Sequence, residues 1–271
     1  MKVEKERVKI DVGEIFTCKW MPEELKKEHP IILLHDSLGC VGLWKDFPEK
    51  LARQMQQPVV AYDRLGAGKS SPLKDIPSVD FIEKEAFHFF PQLISALGID
   101  KFSLLGHSVG GAMALLIASN NNSSCQSVIT VAAQAYVEEK TITSIAAAEQ
   151  FFKNEEHFNK LVKWHGNKAK WVLDAWTIIW QSKGFQSFSV LPYLSKITCP
   201  TLVLHGELDE YGSSNFPKSI ATAISSHSNY IIMQNCGHIP HREQPLQLLQ
   251  HIKDFYTEVE GDIYSPSNSL A

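Results

Sequence analysis

The 271-residue sequence has no apolar run near the ~18 residues that a membrane-spanning helix requires. Its first residues, Met1 to Arg7, are mostly charged, where the apolar segment of a secretory signal would begin. These two absences predict a cytoplasmic protein that has no membrane partner.

Charge of one sign is also scarce, because 26 Lys and Arg residues stand against 30 Asp and Glu residues, without a block of like charge. Nucleic-acid-binding proteins cluster basic residues against phosphates, so we predict no nucleic-acid partner. The five cysteines are scattered and form no C-x-x-C pair, which argues against a disulfide framework or a zinc ribbon.

Cofactor motifs are missing as well. The segment Gly66 to Ser70 resembles the end of a phosphate-binding loop, but Asp63 stands where that motif needs a glycine, and its carboxylate would repel phosphate. The histidines and cysteines have neither H-E-x-x-H nor paired-thiolate spacing. We therefore predict chemistry without a metal or a cofactor.

Short apolar runs alternate with segments of helical spacing. The runs are Ile31 to Leu34, Val59 to Tyr62, Phe102 to Leu105, Val128 to Ala132, Leu202 to Leu204 and Tyr230 to Met233. The helical segments are Leu43 to Met55, Phe81 to Leu97, Gly111 to Ser119, Phe216 to Ile224 and Leu246 to Tyr256. This pattern predicts an α/β fold with a mostly parallel central sheet flanked by helices. A hairpin over Val8 to Trp20, broken at Gly13, could add antiparallel strands at one edge.

The alternation stops after about Ala135 and resumes near Lys196. The intervening stretch holds four of the six tryptophans, which is too aromatic for a linker. We predict a helical cap over 135–195, inserted late in a core formed by 1–134 and 196–271. The tail over 261–269 lacks periodicity and is predicted to be frayed.

Three of the cap tryptophans are candidates for contact with a substrate. Trp171, Trp176 and Trp180 are spaced as residues on one helix face, although packing of cap against core would explain each of them singly. Together they suggest an apolar roof over a pocket. Such a roof favours a small or medium acyl group over a phosphorylated or polyanionic substrate.

The strongest chemical motif is Gly106-His107-Ser108-Val109-Gly110. It follows an apparent strand and precedes a helix-prone segment, the context in which G-x-S-x-G presents a nucleophilic serine. A serine needs a base, and the base needs an orienting acid. Asp209 and His238 each lie on a loop after a later strand, where open α/β sheets build their sites.

Other residues compete for the acid and base roles. Glu207 and Glu210 flank Asp209, but the spacing from Gly206 favours Asp209. His241 follows His238 closely and lacks the preceding glycine, so we interpret it as a residue at the rim of the site or one that supports the catalytic side chains from behind. His205 ends a buried strand and is interpreted as a core histidine.

With these motifs, the chain resembles the α/β-hydrolase superfamily over nearly its whole length. Four segments carry the resemblance besides the serine motif: His35-Asp36-Ser37-Leu38-Gly39, Asp63 to Ser71 as D-x-x-G-x-G-x-S, Gly206 to Asp209, and Gly237-His238 with Glu243 and Pro245. The resemblance implies that Ser108 is the nucleophile, His238 the general acid and base, and Asp209 the orienting acid.

The resemblance also implies an oxyanion hole formed by the backbone N–H groups of Val109 and Ser37. Asp36 departs from the family pattern, which has glycine there, and its charge opposes an oxyanion unless the side chain turns away or is paired. His35 and His107 flank these positions and are candidates to line the substrate pocket. Asp63 and its neighbour Arg64 are interpreted as parts of a structural turn.

The expected function is hydrolysis of a carboxylic ester or thioester of a small to medium apolar acyl group through an acyl-enzyme, so the expected partner is a small molecule. Similar folds also use these three residues for C–C bond hydrolysis, lyase chemistry or acyl transfer. Others serve as ligand-binding receptors, because one fold hosts many functions.

Overall fold

The computed structural model describes residues 1–263. Its eight strands are β1 (Lys2–Ile10), β2 (Gly13–Met21), β3 (Ile31–Leu34), β4 (Val59–Tyr62), β5 (Phe102–His107), β6 (Cys125–Val131), β7 (Thr201–Gly206) and β8 (Ser228–Met233). They form one sheet in the order β1-β2-β4-β3-β5-β6-β7-β8. The hairpin β1-β2 and the pair β2-β4 are antiparallel, and all other neighbours are parallel. The predicted fold class is confirmed.

The helices are α1 (Phe47–Met55), α2 (Phe81–Lys84), α3 (Phe90–Ala96), α4 (Val109–Asn120), α5 (Glu139–Phe151), α6 (Glu155–His165), α7 (Ala169–Gln181), α8 (Leu191–Leu194), α9 (Asn215–Ala223), α10 (Pro240–Glu243) and α11 (Pro245–Ile263). A π-helical turn over Glu85–Phe89 joins α2 to α3. None of the helices in residues 1–263 has both the length and the apolar character of a membrane span.

Two helix predictions need correction. The helix expected from Leu43 begins at Phe47, because Val41–Trp44 forms a 3₁₀ turn and Lys45, at φ 56°, breaks the helical path. The tail expected to fray from Gly261 is still helical to the end of α11 at Ile263. The rest of that predicted tail, 264–269, lies outside the described residues.

The parallel strands are buried on both faces, and successive residues of β3 alternate between two apolar clusters. Ile32 and Leu34 pack on the side that includes most of α4, whereas Ile31 and Leu33 pack on the side of α1 and α11. Helix α4 is buried over nearly its whole length because it crosses the centre of the sheet. Burial on both faces explains why these strands are continuous apolar runs.

Helices α5 to α8 lie between β6 and β7, in the stretch that contains the predicted cap over 135–195. The two ends of that stretch meet, since Tyr136 and Ser189 form an isolated antiparallel bridge and Val190 N donates to Ala135 O at 2.9 Å. The stretch therefore leaves the core and returns to it at one place.

His165, at the end of α6, ties the stretch between β6 and β7 to two loops that follow β3 and β4. Its Nδ1 accepts from Gly68 N at 2.9 Å, so its Nε2–H donates to Leu38 O at 3.0 Å. Burial lowers the pKa of His165, which keeps the ring neutral and able to act as donor and acceptor at once. One neutral imidazole thus joins three segments.

The core predicts a sharp contrast between two leucines. Leu104 in β5 is 0% exposed and Leu246 in α11 is 76% exposed. Leu104→Ala should lower the free energy of unfolding by about 2–5 kcal/mol, because it leaves a cavity that the sheet cannot close. Leu246→Ala, the matched control, should change it by less than about 0.5 kcal/mol. Urea denaturation followed by circular dichroism measures both, and equal losses would contradict the described core.

Candidate active site

Ser108 lies at the sharp turn between β5 and α4, with φ 55° and ψ −122°. A serine at positive φ is strained, and the turn is held by the donation of Ser108 N to Val131 O at 2.9 Å. A Cβ at Gly106 would lie 2.2 Å from Gly110 O, and a Cβ at Gly110 would lie 2.2 Å from Leu34 O. Both flanking positions of the motif therefore require glycine because backbone approaches backbone.

His238 pairs with Asp209, the acid that the sequence favours. His238 Nδ1 lies 2.9 Å from each carboxylate oxygen of Asp209, and both side chains are buried. Glu207 instead accepts from Asn235 N at 2.9 Å, and Glu210 is exposed. Since Nδ1–H donates to Asp209, Nε2 of His238 is left to accept a proton.

Electrostatics at this pair favour a charged acid and a basic imidazole. Burial opposes protonation of His238, but the hydrogen bond and charge of Asp209, helped by Glu210 and Asp36, outweigh it and raise the pKa of His238 above the ordinary 6.5. Burial likewise opposes ionisation of Asp209, but His238 and His205 outweigh it and lower the pKa of that carboxyl. Asp209 is further fixed by Tyr211 N at 2.8 Å.

Ser108 and His238 line the same cavity, of about 920 Å³, which we call the catalytic cavity. Within residues 1–263, Ser108 Oγ makes no hydrogen bond. Such bonds commonly tighten only when a substrate is present. The structure thus brings Ser108, Asp209 and His238 together at the carboxyl ends of β5, β7 and β8.

The loop that carries Ser37 is held by Arg64. Its guanidinium donates to the carbonyl oxygens of His35 and Asp36, the latter at 2.7 Å. Arg64 N donates to His35 Nε2 at 3.1 Å, so His35 Nδ1–H donates to Asp36 O at 2.7 Å. The carboxylate of Asp36 folds over Gly39, where a Cβ would lie 2.0 Å from Asp36 Oδ1.

Val109 N–H is the other expected oxyanion donor. It occupies the first position of α4, so it has no partner within the helix and adds to the positive end of the helix dipole. Ser37 lines the catalytic cavity on the opposite loop. An oxyanion hole formed by these two N–H groups stays a prediction.

The remaining histidines of the site are buried. His107 Nε2–H donates to His238 O at 2.7 Å, and burial lowers the pKa of His107 to about 4. His241 is buried against Trp44, with ring centroids 4.6 Å apart, and it lines the catalytic cavity. His205 is buried and its Nε2 lies 3.5 Å from Asp209 Oδ2. The sequence pattern did not indicate that approach.

Trp171, Trp176 and Trp180 all lie in α7 but line two different cavities. Trp176 and Trp180 line the catalytic cavity and also a smaller cavity of about 380 Å³ beside it. Trp171 lines only the smaller cavity and packs over Gly66, where a Cβ would lie 2.1 Å from its ring. His35 and His107 both line the catalytic cavity.

The candidate site contains no evident place for a metal. In the described part of the chain, no three His, Cys, Asp or Glu side chains are grouped so that they could hold an ion.

Asp63 accepts from Val41 N and Lys69 N, each at 2.6 Å, which matches its interpretation as part of a structural turn.

Comparison with known proteins places this geometry in a family context. A family model described as "alpha/beta hydrolase fold" matches residues 29–245. The human 1-acylglycerol-3-phosphate O-acyltransferase ABHD5 is 35% identical over 112 residues, which are 41% of this chain and 31% of that protein. This chain therefore spans less than a third of that relative. The proline iminopeptidase of Heyndrickxia coagulans is 26% identical over 280 residues, covering 85% of this chain and 91% of the relative.

Solved structures show the same fold at low sequence identity. A bacterial membrane phospholipase A superposes with a TM-score of 0.76 at 22% identity, covering 95% of this chain and 87% of that one. At this identity the similarity concerns the architecture alone.

The His238–Asp209 pair predicts a specific pH profile. A base must be neutral to accept the serine proton, so the raised pKa of His238 should place the acid limb of kcat/KM above pH 6.5. Asp209→Asn should move that limb to lower pH and reduce kcat/KM on the order of 10⁴-fold. Initial rates of ester hydrolysis across about pH 5 to 8 measure both effects.

Glu207→Gln is the matched control for the neighbouring acid. Its side chain binds Asn235 N rather than His238, so the variant should keep the wild-type profile. A wild-type profile without an acid limb would contradict the role of His238 as base.

Proposed function

Because the chain belongs to the family of the alpha/beta hydrolase fold, we propose that it is a serine hydrolase that cleaves carboxylic esters or thioesters of small to medium apolar acyl groups. The observation that carries the proposal is the buried His238–Asp209 pair, which shares the catalytic cavity with Ser108. This arrangement supplies a nucleophile, a base and an orienting acid.

The proposed reaction has two steps. His238 Nε2 takes the proton of Ser108 as Oγ attacks the acyl carbon, and the resulting oxyanion is stabilised by the N–H groups of Val109 and Ser37. The imidazolium then gives its proton to the leaving alcohol or thiol, which leaves an acyl-enzyme. Water, activated by the same imidazole, hydrolyses that intermediate and restores Ser108.

The smaller cavity supports an apolar acyl group. It shares Ser37, Trp176 and Trp180 with the catalytic cavity, and its other walls include Leu73 and Met113. Ser37, the candidate oxyanion donor, lines both cavities, whereas Ser108 lines only the catalytic cavity. We place the acyl chain in this smaller cavity and the leaving group in the wider catalytic cavity.

The relatives support the fold on which the proposal depends, but they do not agree on a substrate. The substrate class is therefore argued from the residues of the site. Their names describe an O-acyltransferase, an iminopeptidase and a phospholipase, which are three different activities. A cytoplasmic location remains part of the proposal, together with a small molecule as the partner.

Loss of the nucleophile is the direct test of the proposed reaction. Ser108→Ala should reduce kcat/KM for p-nitrophenyl acetate, butyrate and octanoate by at least about 10³-fold, because no acyl-enzyme can form. Steady-state release of p-nitrophenol measures the loss, and thermal unfolding checks that the variant is folded. Turnover of every ester at the wild-type rate would refute the proposal.

The placement of the acyl chain in the smaller cavity can be tested on the same esters. Ala175 in α7 lines the smaller cavity, and Ala175→Phe should lower kcat/KM for the octanoate about tenfold while leaving the acetate nearly unchanged. Ile178, on the same helix, is 55% exposed, so Ile178→Phe adds the same ring outside the site. A uniform loss on all chain lengths would remove the smaller cavity from the proposal.

A further inference from the structure

Four basic side chains line the catalytic cavity and are exposed to solvent: Lys45, Lys160, Lys163 and Arg242. We call them the basic rim. Among residues 1–263, none of the four forms an ion pair with a carboxylate, unlike Lys50 and Lys170, which pair with Asp46 and Asp174. The basic rim therefore presents unneutralised positive charge where a substrate enters.

Trp164 of the cap gathers two of these lysines. Lys45 Nζ lies 4.1 Å from the centroid of the Trp164 ring and Lys163 Nζ lies 5.7 Å from it. The ring itself packs over Gly42, where a Cβ would lie 2.6 Å away. Cap and core thus each bring one ammonium group to the same aromatic surface.

The other two cations lie beside this pair. Lys160 precedes Lys163 by three residues on α6, so both project from neighbouring positions of one helix face. Arg242 donates from Nε and Nη2 to Leu43 O, two residues before Lys45. Lys45 holds its position with φ 56°, a conformation that a non-glycine residue rarely adopts.

Within residues 1–263, the two acidic residues of the same cavity, Asp36 and Glu210, form no ion pair with the basic rim. Asp36 folds over Gly39, and both Asp36 and Glu210 act on His238 by raising its pKa. Four cations and two carboxylates line the cavity, although the whole chain has a net charge of −4. The positive excess is therefore local to the entrance.

We propose that the basic rim binds a phosphate carried on the leaving group of the acyl substrate. The inference rests on the proposed function, because that function places the acyl chain in the smaller cavity and the leaving group in the catalytic cavity, which the basic rim lines. A phosphate offers several oxygens to several separate donors, which fits cations contributed by the loop at Lys45, by the short helix α10 and by α6. This proposal revises the expectation, drawn from Trp171, Trp176 and Trp180, that a phosphorylated substrate is disfavoured.

The phosphate is a recognition group and undergoes no chemistry. Hydrolysis breaks the acyl C–O or C–S bond, His238 returns a proton to the leaving oxygen or sulfur, and the phosphate departs intact with the product. Such a phosphate occurs on thioesters of coenzyme A and on acylated glycerol phosphates, and the experiment must separate these two sources.

Two matched substrate pairs provide that separation. Butyryl-coenzyme A is compared with S-butyryl-N-acetylcysteamine, and 1-butyrylglycerol 3-phosphate with 1-butyrylglycerol. Within each pair, the phosphate-bearing member should have the lower KM with the wild-type enzyme. The advantage should shrink as salt is added, because exposed charges are screened over about 8 Å at physiological ionic strength. The pair that shows the larger advantage identifies the source.

The variant that tests the rim is the triple change Lys45→Gln, Lys160→Gln and Lys163→Gln. It should raise KM for the preferred phosphate-bearing substrate about tenfold and leave its neutral counterpart unchanged. The matched control is Lys183→Gln, Lys196→Gln and Lys218→Gln, three exposed lysines that do not line the catalytic cavity. The control should leave all four KM values at the wild-type level.

A binding experiment keeps this inference separable from the proposed function. Calorimetric titration of Ser108→Ala with coenzyme A and with glycerol 3-phosphate reports the rim without turnover. Binding of either compound that weakens when the three rim lysines are also replaced supports the inference, even if no ester is hydrolysed. Hydrolysis of the neutral esters with no phosphate advantage in either pair, and no binding of either compound, would overturn the inference and leave the proposed function standing.

Discussion

The site depends on the close approach of backbone to backbone at the start of α4. Gly110 lies against the carbonyl of Leu34, and Gly106 lies against the carbonyl of Gly110. This contact sets the first N–H groups of α4 beside the loop that follows β3, where the two predicted oxyanion donors lie. A side chain at Gly106 or Gly110 would push these backbone segments apart. The strained conformation of Ser108 and the lack of side chains at the two glycines therefore both follow from this close approach.

Sequence reasoning located the elements whose signal is local. The apolar runs of the parallel strands predicted the sheet, because burial on both faces removes polar residues from a short segment. The serine motif and the two strand-end loops pointed to Ser108, Asp209 and His238, and the structure brings them together. The break at Lys45 was missed, because positive φ at a lysine has no signature in composition or periodicity.

Contacts between segments that are distant along the chain could not be predicted from the sequence. The hydrogen bonds from Arg64 to the loop of His35 and Asp36, and the approach of His205 to Asp209, depend on tertiary placement. The basic rim is the clearest case. Its members come from positions 45, 160, 163 and 242, so they form no block of like charge along the chain, although all four side chains line one cavity.

The double hydrogen bond of His165 has a consequence for how such enzymes diversify. This imidazole, which comes from the segment between β6 and β7, accepts from Gly68 N and donates to the carbonyl oxygen of Leu38, the residue after Ser37. Exchange of the 135–195 segment with that of a relative would therefore also replace His165. That change would alter the support of the loop that carries Ser37, a candidate oxyanion donor. Grafted caps should be chosen as units with their docking histidine and the two core loops that receive it.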